Sequence, residues 1–169
     1  MIEVRVKDSD LRRASQEGMD AFVAVFSDAI LKSIGGELNA DNMSMLNSDQ
    51  ITLIAYVILR DELMSGGFIQ LIHNGYGDFI YRNPFDKAVR EWGLTELYRI
   101  IHKTHRLYSK CHEAIEQDCT QEEFDALYEQ HPEFDVYDDA FVELEEDFTT
   151  QVAHYVDENI ENFAIVEHE

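Results

Sequence analysis

Asn47-Ser48-Asp49-Gln50-Ile51-Thr52-Leu53-Ile54-Ala55-Tyr56-Val57-Ile58-Leu59-Arg60-Asp61-Glu62-Leu63 is the stretch on which the fold turns. Asn47 with Gln50 at the third helical position reads as a capping box, which places a helix start at this point. Ile51, Ile54, Val57, Ile58 and Leu63 then cover more than one face of that helix, the mark of an element packed centrally. Residues 51–59 are the longest largely apolar run, nine residues, well short of the ~18 needed to cross a bilayer.

Helical period extends on both sides of this segment. Met19, Phe22, Val23, Phe26 and Ile30 recur at short helical steps, and Gly35-Gly36 supplies a stop. On the C-terminal side Gly66-Gly67 breaks or kinks the chain before a short helix through Phe68, Leu71 and Ile72, ended by Asn74-Gly75. Asn83-Pro84 reads as a cap followed by proline at the first helical position, and Gly93 closes that helix. Thr95 reads as the cap of a long helix bearing Leu97, Tyr98, Ile101, Tyr108 and Ile115. Thr120 with Glu123 forms a second capping box, and Pro132 precedes a last long helix with Phe141, Leu144, Phe148, Val152, Tyr155 and Val156. At the two ends Ile2, Val4 and Val6 alternate with polar residues and Phe163-Ala164-Ile165-Val166 also reads as extended, so these segments are open to pairing. Without an internal repeat or a linker-like tract, the expectation is an all-α, single-domain bundle over 1–169. It has about six to eight helices and short extended N- and C-terminal segments.

Charge is distributed unevenly. The net charge is −22, from 13 basic and 35 acidic residues. Residues 111–169 hold 20 Asp and Glu and no Lys or Arg, so −20 of the −22 lies there. Such a field repels nucleic acid and anionic membranes and attracts basic partners. The N-terminal Met1-Ile2-Glu3-Val4-Arg5 lacks the apolar core of a secretory signal, and Cys111 and Cys119 read as free or buried thiols, so a cytoplasmic protein is expected.

Catalytic signatures are absent: there is neither a Gly-x-Ser-x-Gly elbow nor a phosphate-binding glycine loop, and no catalytic residue and no cofactor is nominated. Cys111 and His112 adjoin, but successive helical residues point about 100° apart and do not make a dyad. His102, His105 and His112 share one helix at three- and seven-residue intervals, a spacing from which a metal site could be built with a carboxylate such as Glu116. The competing reading is a polar helix face beside Lys103, Arg106 and Lys110. Within the glycine segment, Gln70, His73 and Asn74 either satisfy a helix corner or line a pocket mouth; the former is the commoner use of such residues.

Gly66-Gly67-Phe68-Ile69-Gln70-Leu71-Ile72-His73-Asn74-Gly75-Tyr76-Gly77 resembles the Gly-Gly-Phe-x-Gln…Asn…Gly signature of a bacterial DNA-mimic protein family, a DMP-like domain. Gly66, Gly67, Phe68, Gln70, Asn74 and Gly77 carry the match, and the resemblance runs over about residues 45–160. Leu63-Met64-Ser65 replaces a more polar, Asn-containing run just before the glycines. The resemblance implies an all-helical fold and a homodimer that occupies the DNA-binding surface of a transcription repressor. On that footing the expected function is non-enzymatic: an acidic protein that takes the place of DNA on a basic, nucleic-acid-binding partner, without binding nucleic acid or membrane itself. The acidic face would comprise Glu122, Glu123, Asp125, Glu129, Asp138, Asp139, Glu143, Glu145, Glu146, Asp147, Asp157 and Glu158. Two alternatives stand beside it: an immunity or antitoxin protein that neutralises a basic toxin, and a metal-dependent helical-bundle enzyme.

Overall fold

The computed structural model describes residues 2–168. The order is β1 (Arg5–Lys7), α1 (Asp8–Glu17), α2 (Met19–Ser33), α3 (Ser48–His73), α4 (Gly77–Tyr81), α5 (Phe85–Glu91), α6 (Thr95–Glu116), α7 (Gln121–Gln130), α8 (Asp135–Glu158), α9 (Ile160–Phe163) and β2 (Ile165–Glu167). Short 3-10 turns lie at Met43–Met45 and Pro132–Phe134. The fold is all-α, and α4 and α9 are single-turn elements. These elements form two compact units. The first holds the described residues up to Val57 and those from Glu146 on; the second is Ile58–Glu145.

In the first unit the extended ends do pair. β1 and β2 run parallel with Val6 opposite Val166, and the Ile165 N–H donates to the Val4 carbonyl at 2.7 Å. The Asn47–Gln50 capping box forms as read: Gln50 N–H donates to Asn47 Oδ1 at 2.9 Å, and Asn47 N–H to Gln50 Oε1 at 3.0 Å. The same two side chains also hold the C-terminal segment, since Asn47 Nδ2 donates to the Asn162 carbonyl and Gln50 Nε2 to the Phe163 carbonyl. That delivers the Phe163 ring into a core with Phe26 and Tyr155 in edge-to-face contact. Tyr56 is fully buried there, its hydroxyl satisfied by Thr149 at 2.7 Å.

The second unit is built on the stacked pair Phe68 and Phe134, with Leu59, Leu71, Val89, Leu97 and Phe141 buried. Two local readings are corrected in it. Pro84 is itself the N-cap residue of α5, while Asn83 donates its amide back to the Phe79 carbonyl and closes α4 instead. Thr95 is the first residue of α6 and not its cap, since Leu94 occupies the cap without a side-chain bond. The end of α3 at Asn74-Gly75 forms as read: Gly75 takes the positive φ, and the Gly75 and Tyr76 N–H groups close the helix on Ile72 and Leu71. In the first unit, α1 was not foreseen because only Leu11 and Ala14 of its ten residues are buried.

Candidate functional site

The glycine signature turns out to build a bend. Gly67 sits at φ +72°, ψ −170° inside α3, a backbone state open essentially to glycine. Breaking the helix there frees the Gly66 carbonyl and the Phe68 N–H, and both are recaptured from distant residues. The Tyr128 hydroxyl donates to Gly66 O at 2.8 Å, and Asp138 Oδ1 accepts from Phe68 N–H at 2.8 Å. A Cβ on Gly67 would lie 2.5 Å from the Asp138 carboxylate, so the close approach also requires glycine. Across the bend, Glu62 accepts from Gln70 Nε2 at 2.7 Å and from Asn74 Nδ2 at 3.0 Å. Gly77 lies under the Tyr108 ring, where a Cβ would come within 2.2 Å, and the Tyr108 hydroxyl is bound by Asp78. His73 Nδ1 donates to the Ile115 carbonyl at 2.8 Å while its ring packs on Phe124. The polar groups of Gln70, His73 and Asn74 are thus turned on the protein's own groups, not towards a pocket mouth.

Asp138 differs from the other acids of the set. It is half-buried against the bend, and burial pushes its carboxyl up to about 6, opposed by the Phe68 N–H and reinforced by Asp135 and Asp139. Glu145 is also only partly exposed and is engaged within the fold. The remaining acids of the second unit stand in solvent: Glu122, Glu123, Asp125 and Glu129 on α7, and Asp139 and Glu143 on α8. Glu123 also completes the α7 capping box with Thr120. Asp135 is exposed too and extends the row, so Asp135, Asp139 and Glu143 follow at four-residue steps, about 6 Å of rise each. Its place four residues before Asp139 was the signal that reading the run from Asp138 missed. In the first unit Glu146, Asp147, Asp157 and Glu158 are exposed.

Cations collect on a different element. Arg99, Lys103, Arg106 and Lys110 are all exposed on α6, at four-, three- and four-residue steps. The histidines of that helix are taken up in ring stacking, His102 on Tyr98 and His112 on Tyr108, with His105 beside Tyr81. His112 further bonds Glu116 at 2.8 Å. Among the described residues no group of three or more His, Cys, Asp or Glu side chains is placed to hold a metal ion. Cys111 and Cys119 are free thiols, and burial with the nearby Glu133 raises the Cys111 thiol above its ordinary range. No helix among the described residues is long and apolar enough to cross a membrane.

Among the described residues the geometry therefore presents exposed carboxylates on α7, which a capping box closes, and on α8. Two comparisons with known proteins bear on this. The family of DMP19-like proteins matches residues 44–159. The DNA mimic protein DMP19 of Neisseria meningitidis serogroup B is 34% identical over 125 residues, covering 73% of this chain and 76% of the relative. The chain belongs to the DMP19-like protein family.

Proposed function

We propose that this member of the DMP19-like family is a DNA mimic, whose acidic face on α7 and the first part of α8 occupies the nucleic-acid-binding surface of a basic protein. One observation carries the reading. Seven exposed carboxylates, Glu122, Glu123, Asp125, Glu129, Asp135, Asp139 and Glu143, fall within a segment that holds no Lys or Arg. A DNA-binding protein that makes roughly 6–10 phosphate contacts draws much of its affinity from them. A mimic must supply about that many charges on rigid backbone; it need not reproduce the whole duplex. Helix α7 is fixed by its capping box, and α8 begins against the bend through Asp138. Rigid placement avoids the ordering cost that a flexible acidic tail would incur on binding. The Neisseria meningitidis relative, a DNA mimic protein, supports the same reading.

The test is capture by the immobilised chain from an extract of its own source cells. At about 50 mM salt the expected result is retention of a nucleic-acid-binding protein, released by competing duplex DNA, because both ligands would use one surface. Retention that duplex DNA fails to reverse, or no basic protein retained at all, would sink the proposal. A captured nuclease whose cleavage is blocked would instead favour toxin neutralisation.

A further inference from the structure

Two valines stand out on the acidic face. Val136 is 64% exposed and Val142 51%, the two highest values among the exposed large hydrophobic residues described, and both lie on α8 between carboxylates. Both keep half or more of their surface in solvent. Valine is a weaker helix former than the Glu, Lys or Gln usual on a solvent face, and an exposed valine gains nothing from burial.

Their placement is regular. At about 100° per residue, Val136 and Val142 lie about 60° to either side of Asp139 and about 4.5 Å before and after it along the axis. Asp135 and Glu143 fall about 40° to either side of the same residue. Residues three and four apart on a helix are surface neighbours, so the five side chains form one face in which methyl groups flank a row of carboxylates. A duplex major groove presents a comparable combination, thymine methyl groups on the floor and phosphates along the walls. Elements that read it carry cations for the phosphates and apolar groups for the methyls.

We infer that Val136 and Val142 receive apolar side chains of a basic, DNA-reading helix, so that the face selects among cationic partners and does not merely attract them. The inference rests on the DNA-mimic reading and adds the chemistry of the partner's contact surface. Charge complementarity sets the occupant: the carboxylates between the valines demand cations beside the inserted apolar groups.

Two synthetic helical peptides of equal Lys and Arg content, one with leucines on its cationic face and one with serines there, separate the two ideas. Titrated calorimetrically at about 50 mM and about 300 mM salt, the chain should bind the leucine peptide about tenfold more tightly, the return for burying about one valine-sized contact. V136S/V142S should abolish that preference and leave affinity for the serine peptide unchanged, and unaltered circular dichroism and Tm would show the fold intact. D139N/E143Q should weaken both peptides in parallel and flatten the salt dependence. Equal binding of the two peptides by the unaltered chain, or a preference that survives V136S/V142S, overturns the inference and leaves the charge-based reading standing. If neither peptide binds at 50 mM salt, the charge-based reading falls and the inference with it.

Discussion

Gly67 and Asp138 meet across 71 positions of chain, and their contact decides what each can become. With φ at +72° and a carboxylate 2.5 Å from the position of a Cβ, Gly67 has no tolerated replacement. Gly67→Ala should lower stability by about 1–3 kcal/mol, read by urea unfolding; an unchanged midpoint would show that the bend relaxes freely. Asp138 gives a pH dependence whose sign follows from burial. Its folded carboxyl titrates near 6, above the usual carboxylate range, so the folded chain holds the proton longer than the unfolded one. The contribution to stability is complete below about pH 4 and is lost as pH rises through about 6. Asp138→Asn keeps an oxygen for the Phe68 N–H and removes the titration. The variant should therefore gain stability relative to the parent as pH rises from about 4 to about 6, measured as the difference of two urea curves. A difference that does not vary with pH would refute the assignment. The carboxylate at Asp138 looked like any other acid in the sequence, since nothing local announces a partner 70 residues away.

At the scale of single elements, local chemistry was readable wherever its partners are close in sequence. Both capping boxes, Asn47 with Gln50 and Thr120 with Glu123, form as expected because each bond closes within three residues. Readings failed where two local solutions compete. Asn83 capped the helix before it, and Thr95 was drawn into the helix it was expected to precede. The acidic display depends on such a cap. Thr120→Ala should cost about 1 kcal/mol and speed amide exchange at Glu123 and Phe124, loosening the turn that carries Glu122 and Glu123. If exchange there is unchanged, α7 is held by its packing alone and the cap is dispensable.

For the molecule as a whole, the net charge of −22 opposes folding through self-repulsion, and the effect is a screened one. Raising NaCl from about 20 mM to about 500 mM should lift Tm by several degrees at neutral pH, followed by circular dichroism. A Tm that falls with salt would mean that the ion pairs, such as Arg12 with Asp8 and Arg82 with Asp78, outweigh the repulsion. The same salt should weaken partner binding, so stability and binding respond in opposite directions to one variable.

Sequence alone determined the helical class, the two capping boxes, the segregation of charge after Lys110, and the glycine segment on which the family resemblance rests. Each of these depends on residues within a turn or two of one another or on composition. Tertiary structure alone decided which acids face solvent and which is spent on the fold. It also set two valines beside the exposed row. Whether a carboxylate is a contact or a clasp depends on what packs against it. The Asp138 clasp exists only once the bend at Gly67 and the start of α8 have come together.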